Sequence, residues 1–161
     1  KYGKFAVTGN HEFYAGIESA LTFTRQAGFA VLRNEKKKVA GINIIGIDDI
    51  TGHSFGVKKT DFKLPESLAE IDDQAFILLL QHQPYVDENA KFHLQLSGHT
   101  HRGQIFPFSL ITRLLFSRNY GYYELTKGRK LYVSSGTGTW GPPVRVFAPP
   151  EITVIDLIGR K

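Results

Sequence analysis

The stretch FHLQLSGHTHRGQ, residues 92–104, combines a strand pattern with a polar turn that contains two histidines. Apolar and polar residues alternate up to Gly98, and this period of two predicts a β-strand that ends at the glycine. His99 and His101 follow, one residue apart. Imidazole is the commonest metal ligand and the usual proton carrier near neutral pH. The turn is therefore a candidate metal or catalytic site.

Two further apolar runs end in the same way. Residues 5–8 (FAVT) lead into GNHE, which contains Asn10 and His11, and residues 75–82 (AFILLLQH) end at His82. A helical pattern over residues 16–28 follows the first run. Alternating strands and helices predict a layered α/β domain, in which functional loops lie beyond the strand ends. We therefore expect the three polar loops to meet.

The other segments extend this α/β pattern. Residues 29–34 and 38–49 predict two strands joined by a lysine-rich turn, and residues 130–136 and 150–158 predict two late strands. A loop and a short helix are expected around residues 65–71. FSLITRLLF, residues 108–116, has a helical apolar pattern. A core-packed helix is the favoured interpretation, and a helix on a membrane surface, with Arg113 and Arg118 at the lipid, is the alternative.

The composition narrows the function classes. The chain has 161 residues, which suits one domain with a core. It contains no cysteine, so disulfides and thiolate metal sites are excluded. The net charge of +5 suits an anionic partner. The basic residues are mostly scattered and are not interleaved with aromatic ones, so nucleic-acid binding is not expected.

The histidines favour metal chemistry because several of them are placed alike. Four of the six follow apolar runs: His11, His82, His99 and His101. One loop histidine alone is usually structural, whereas four in equivalent places together with an asparagine indicate a metal site. Imidazole and oxygen ligands without thiolate suit Zn, Mn or Fe.

GNHE, the histidine of QHQP and GHTHRGQ, in this order, resemble the last three blocks of the calcineurin-like metallophosphoesterases. The resemblance covers nearly the whole chain. GIDD, GQIFP and SSGTGTWGPPVRVFAPPEI further resemble a bacterial branch of that family whose members often carry N-terminal membrane segments. Some members of that branch act on lipid-linked or sugar-nucleotide phosphodiesters.

This resemblance implies a fold and an activity. The fold would be an α/β, layered β-sandwich flanked by helices. The activity would be hydrolysis of a phosphoester (a monoester, diester or pyrophosphate) by two divalent ions, Mn, Zn or Fe, that hold a hydroxide between them. The substrate would be a phosphorylated small molecule or a lipid-linked compound.

The resemblance also implies a role for each site residue. Asn10, His82 and His99 would bind one metal ion, and His101 would bind the other. His11 would stand near the phosphate and protonate the leaving oxygen. Arg102 stands where the family more often has glycine, and a phosphate contact and a surface arginine are equal alternatives for it.

The family pattern begins with two earlier blocks, Asp-x-His and Gly-Asp, which this sequence does not contain. We therefore expect residues 1–161 to be a single domain, the C-terminal part of a metallophosphoesterase domain that lacks the N-terminal strands. The chain alone would then bind metal weakly and hydrolyse little, because it carries only part of the ligand set. Any membrane association would come from an absent N-terminal segment.

Two other functions remain open from the sequence. One is a non-catalytic phosphoesterase-like binding module, and the other is a hydrolase with a single metal ion held by Asn10, His82 and His99.

Three further features are interpreted from their local context. Asp48 and Asp49 are expected to be solvated carboxylates at a strand end. Glu12 is expected to cap a helix rather than to orient His11. Trp140 lies in a loop rich in glycine and proline, where plain packing is favoured and lining of a substrate pocket is the alternative.

Overall fold

The described part of the chain contains strands, α-helices and 3₁₀ turns in a mixed order. The structure, a computed structural model, describes residues 1–56, 64, 68, 71–72 and 75–159. The strands are β1 (Phe5–Ala6), β2 (Ala30–Val31), β3 (Glu35–Val39), β4 (Ile42–Ile47), β5 (Ile77–Gln81), β6 (Leu94–Ser97), β7 (Gly121–Glu124) and β8 (Lys130–Val133). The α-helices are α1 (Asn10–Ala15), α2 (Ile17–Gln26) and α3 (Phe108–Leu115). The 3₁₀ turns are Ile50–Phe55, His101–Gly103 and Thr126–Gly128.

The strands form two sheets. Six of them make a mixed sheet in the order β3-β4-β5-β6-β8-β7, and β1 pairs with β2 in a parallel two-stranded sheet. The four central strands β4, β5, β6 and β8 run parallel, whereas β3 and β7 pair antiparallel at the two edges. This arrangement confirms the α/β class, since helices lie beside a central sheet built mainly from parallel strands.

The two sheets touch at Gly46 on β4. A Cβ atom at this position would lie 2.8 Å from the backbone oxygen of Leu32 and 2.9 Å from Cγ1 of Val7. Leu32 follows β2 and Val7 follows β1, so the small sheet packs directly on the large one. Only glycine lets the backbones approach this closely.

A buried apolar cluster lies on the central strands. Ile45 of β4 and Ile77 and Leu79 of β5 are essentially inaccessible to solvent, and they pack with Leu68, Ala90 and Phe92. Continuous apolar runs such as ILLLQ are typical of parallel strands covered on both faces. This rigid core holds the carboxyl ends of the central strands in place.

The lysine-rich segment was expected to be a turn, and this prediction is wrong. Residues Glu35–Val39 form the edge strand β3, and the turn lies one step later, at Ala40 and Gly41, where φ is +48° and +84°. Lysine side chains suit an exposed edge strand because their charge opposes further strand pairing. Pairing with the buried strand β4 decides the conformation, and the lysines themselves carry no periodic signal.

The late strand expected over residues 150–158 is also absent. These residues have no regular secondary structure and pair with no described strand. Alternating apolar residues form a strand only when a neighbouring strand takes up their backbone hydrogen bonds. The short helix expected around residues 65–71 falls mostly outside the described residues.

The other predicted elements agree with the structure, and two elements were missed. The strands near residues 5–8, 75–82, 92–98 and 130–136 and the helix over residues 16–28 are all present in shortened form. Helix α1 and edge strand β7 had no sequence prediction. Among the described residues, no helix combines the length and the apolar character that crossing a membrane requires.

Candidate metal site

The three polar loops predicted to meet do meet, at the carboxyl ends of their strands. Asn10 begins α1 after β1, His82 directly follows β5, and His99 follows β6. Because β5 and β6 are parallel neighbours, the residues that follow them reach the same edge of the sheet. The contact between the two sheets brings Asn10 to the same place.

Three donor atoms converge there. Nε2 of His82 lies 3.0 Å from Oδ1 of Asn10 and 3.1 Å from Nδ1 of His99. Two ligands that each sit about 2.0–2.1 Å from one ion are themselves about 3.0–3.4 Å apart. The donor types and both observed separations therefore fit a single divalent cation.

The turn that carries His99 has an unusual backbone. His99, His101, Arg102 and Gln104 all have positive φ, at 68°, 48°, 54° and 47°. Residues other than glycine rarely adopt this conformation, and such positions cluster at functional sites because the surrounding fold must hold them.

The histidines at the site are held in their neutral form. Burial, together with a smaller contribution from the neighbouring His82, lowers the pKa of His99 to about 4. Burial also lowers the pKa of His82, which the charge of Asp49 partly opposes. Burial and the positive charge of Arg145 lower the pKa of His101. Neutral imidazole is the form that binds metal, so these shifts favour a cation over protons.

Asp48 and Asp49 are not solvated, which corrects the sequence interpretation. Asp49 is 4% exposed, and its two carboxylate oxygens each accept a hydrogen bond from Nε2 of Gln83, at 3.0 Å. Asp48 pairs with Arg33 at 2.8 Å. The charge of Asp49 reaches the rings of His82 and His99 and raises their proton affinity. It therefore supplies negative charge behind the donor atoms.

His11 and His101 line a cavity beside the converged atoms. The cavity has a volume of about 250 Å³, and Phe108, Phe116 and Trp140 supply its apolar wall. The structure thus places Trp140 at a pocket, the alternative that the sequence left open. His101 does not join the His82–His99 contact, because its Nδ1 faces the guanidinium of Arg145 at 3.3 Å.

Gln104 holds the loop that carries Trp140. Its Nε2 donates to the backbone oxygens of Trp140 and Pro142, at 2.7 and 3.1 Å, and its Oε1 accepts from the backbone nitrogen of Trp140. Gln104 is buried, so these bonds are shielded from water. Gln104 and Arg145 lie inside motifs quoted for the family resemblance, but the sequence predicted no role for either, because their roles depend on contacts 36 and 44 residues away.

Arg102 points away from the histidine cavity. Its guanidinium lies 4.4 Å from the ring centre of Tyr120, and with Arg113 it lines a neighbouring cavity of about 410 Å³. Glu12 caps α1, as expected, by accepting a hydrogen bond from the backbone nitrogen of Gly9 at 2.6 Å.

The two histidines outside the predicted set lie elsewhere. His93 accepts a hydrogen bond from the backbone nitrogen of Ile77 at 3.0 Å and stacks on Phe76. His53 is exposed on the 3₁₀ turn after β4. Within the described residues, no group of three or more His, Asp or Glu side chains could hold a metal ion, so the converged set depends on the amide of Asn10.

The known proteins to which this chain is similar are named as metallophosphoesterases or as carrying a metallophosphoesterase domain. An uncharacterized metallophosphoesterase of Aquifex aeolicus is 40% identical over 162 residues, which are 98% of this chain and 62% of that protein. An uncharacterized metallophosphoesterase of Campylobacter jejuni is 40% identical over 164 residues, 99% of this chain and 43% of that protein. A transmembrane protein with metallophosphoesterase domain from Danio rerio is 31% identical over 98% of this chain and 39% of its own length.

The chain therefore spans between about two fifths and three fifths of the length of these relatives. No family model matches it, and no solved structure is significantly similar.

Proposed function

We propose that this chain, which is similar along nearly its whole length to proteins named metallophosphoesterases, forms the C-terminal part of a dinuclear site that hydrolyses a phosphoester. The observation that carries the proposal is that Nε2 of His82 lies within 3.1 Å of both Oδ1 of Asn10 and Nδ1 of His99. A divalent cation there would polarise a phosphoryl oxygen and lower the pKa of a water molecule. Mn, Zn and Fe all suit imidazole and amide ligands.

The other site residues have separate tasks in this proposal. His101, whose Nδ1 faces Arg145, would contribute to the second ion, and the remaining ligands would come from Asp-x-His and Gly-Asp blocks that this sequence does not contain. His11 lines the same cavity as His99 and is exposed, so it can give a proton to the leaving oxygen. Trp140 and Phe116 cover one side of this cavity and exclude water there.

The proposed substrate carries its phosphoryl group at the histidines and an apolar group in the cavity beside them. The apolar cavity wall, which Phe108, Phe116 and Trp140 form, supports an apolar group on the substrate. Arg102 would bind a second anionic or polar group of the substrate from the neighbouring cavity, where Tyr120 orients its guanidinium. The Danio rerio relative is named as a transmembrane protein, and this name supports membrane association of the whole protein to which the present chain belongs.

The test is bound metal per chain, measured by elemental analysis after equilibration with Mn²⁺ or Zn²⁺ and dialysis. The expected value is one ion or less, lost in His82→Ala and His99→Ala. His53→Ala is the matched control, because His53 is an exposed histidine away from the site. Equal metal content in all four proteins would contradict the proposed ligand set.

Hydrolysis of bis(p-nitrophenyl) phosphate tests the catalytic part of the proposal. The isolated chain should hydrolyse it slowly and only with metal, and a longer protein with both missing blocks should be much faster. Rates in the isolated chain that are typical of intact enzymes would contradict the partial site. Metal binding without hydrolysis in the longer protein would instead favour the non-catalytic binding module.

A further inference from the structure

Helix α3 exposes its apolar side chains to solvent. None of its residues is buried, and Leu114 and Leu115 are 86% and 70% exposed. Phe108, Leu110 and Ile111 are each about half exposed. A surface helix of a globular protein normally turns its apolar side toward the core. The core-packed helix favoured by the sequence pattern is therefore wrong.

The opposite face of α3, which packs on the domain, is polar. Thr112 accepts a hydrogen bond from Nδ2 of Asn119 at 3.0 Å, and Thr112 donates to the backbone oxygen of Ser109 at 3.1 Å. Ser109 lies so close to Gly103 that any side chain on the glycine would collide with it. These contacts fix the orientation of the helix, so its apolar side cannot turn inward.

The exposed apolar area continues beyond the helix. Phe106 precedes α3 and touches Phe147 edge to face, with ring centres 6.1 Å apart. Trp140, 59% exposed, lines the same cavity as Phe108. We call this area the α3 surface and define it by these residues: Phe106, Phe108, Leu110, Ile111, Leu114, Leu115, Trp140 and Phe147. A contiguous apolar area of this kind marks a protein, ligand or membrane contact.

Positive charge accompanies the α3 surface. Arg102 and Arg113 line one cavity beside the helix, and Arg118 follows the helix in the chain. Arg113 is exposed on α3 itself, beside the apolar stripe. Aromatic and leucine side chains bordered by arginines match the boundary between acyl chains and anionic headgroups.

We propose that the α3 surface docks on a lipid bilayer that carries anionic headgroups. Leu114 and Leu115 enter the acyl region, and Arg113 stays among the headgroups, where its long side chain can reach. Trp140 then lies at the interface, beside the cavity that His99 and His101 line. The docking follows from the exposed surface alone and holds whether or not the site hydrolyses a phosphoester.

Trp140 is the single tryptophan of the chain and is therefore a built-in reporter. Its emission is measured on addition of phosphatidylcholine vesicles, with and without phosphatidylglycerol. We expect a blue shift with the anionic vesicles, and quenching when the acyl chains carry bromine. Sedimentation of the vesicles then gives the partition coefficient of the protein.

The double substitution Leu114→Ser/Leu115→Ser removes the most exposed apolar side chains and should lower partitioning by about tenfold or more. Arg113→Gln should weaken binding to the anionic vesicles by about fivefold. Phe23→Ser is the matched control, because Phe23 is 74% exposed on α2, outside the α3 surface, and should change nothing. Urea unfolding checks that each variant remains folded.

Three outcomes would overturn the proposal. The first is no emission change with either vesicle. The second is sedimentation with vesicles but no quenching by brominated chains, which would mean that charge alone attracts the protein. The third is self-association in analytical ultracentrifugation that Leu114→Ser/Leu115→Ser abolishes, without vesicle binding, because the α3 surface would then contact a second copy.

Discussion

Gly9 stands directly against the ring of His82, and replacing it with alanine should damage the metal site while leaving the fold intact. The backbone at Gly9 is extended, with φ −109° and ψ −177°, so alanine is allowed there. An added Cβ would lie 2.9 Å from Cε1 of His82 and 3.0 Å from each ring nitrogen. Normal contacts between such atoms are about 3.5–4.0 Å, so the ring must move by about 0.5–1 Å.

A movement of that size exceeds what metal coordination tolerates, since ligand distances are held within about 0.2 Å. Disturbing even an outer partner of a metal ligand costs about 10- to 100-fold in affinity, or about 1.4–2.7 kcal/mol. We expect a loss of at least that size for Gly9→Ala, measured as the Kd for Zn²⁺ by isothermal titration calorimetry.

The control is Gly138→Ala, because a Cβ at Gly138 would meet no atom within 4 Å. It should bind Zn²⁺ as the unchanged chain does. The reasoning is refuted if Gly9→Ala also retains the original affinity, because His82 would then not be a ligand or would not be held against Gly9.

Three further predictions concern the surroundings of the site. Asp49→Asn should weaken Zn²⁺ binding by about tenfold in the same titration, because the buried carboxylate raises the cation affinity of the His82 ring. An unchanged Kd would exclude an electrostatic role of Asp49 in metal binding. Gln104→Ala should free the loop that it holds and increase iodide quenching of Trp140, an effect that would be absent if other contacts hold the loop. With EDTA present, the free energy of unfolding in urea should be greatest above about pH 6.5 and should fall toward pH 4. Burial lowers the pKa of His99 to about 4, so between these pH values the unfolded chain binds more protons than the folded chain. A urea midpoint that does not change between pH 7.5 and pH 5 would contradict this.

The meeting of Asn10, His82 and His99 could be predicted from the sequence because it depends on strand ends. Apolar runs that stop before Asn10, His82 and His99 place these residues beyond their strands, and parallel strands bring such ends together. The role of Asp49 could not be predicted in the same way. It also follows a strand, but a carboxylate at a strand end is solvated or buried according to which loop covers it, and here Gln83 does so.

The elements predicted wrongly share one physical cause. Each depends on a neighbouring segment and not on its own sequence pattern. This holds for the conformation of β3, for the absence of the late strand and for the orientation of α3. The pattern of FSLITRLLF correctly indicates an amphipathic helix, but periodicity does not say which side faces the protein. The contacts of Thr112 with Asn119 and of Ser109 with Gly103 hold the polar side of the helix against the protein.

The sequence by itself determined the α/β class, the order of most strands and the four histidines that follow apolar runs, because these features depend on local hydrophobic patterns and chain order. The tertiary structure alone decided that His82 lies within 3.1 Å of both Asn10 and His99, that Asp49 lies buried behind them and that the apolar side chains of α3 face outward. Each of these depends on contacts between residues far apart in the chain, whose distances are set by sheet packing and not by sequence spacing.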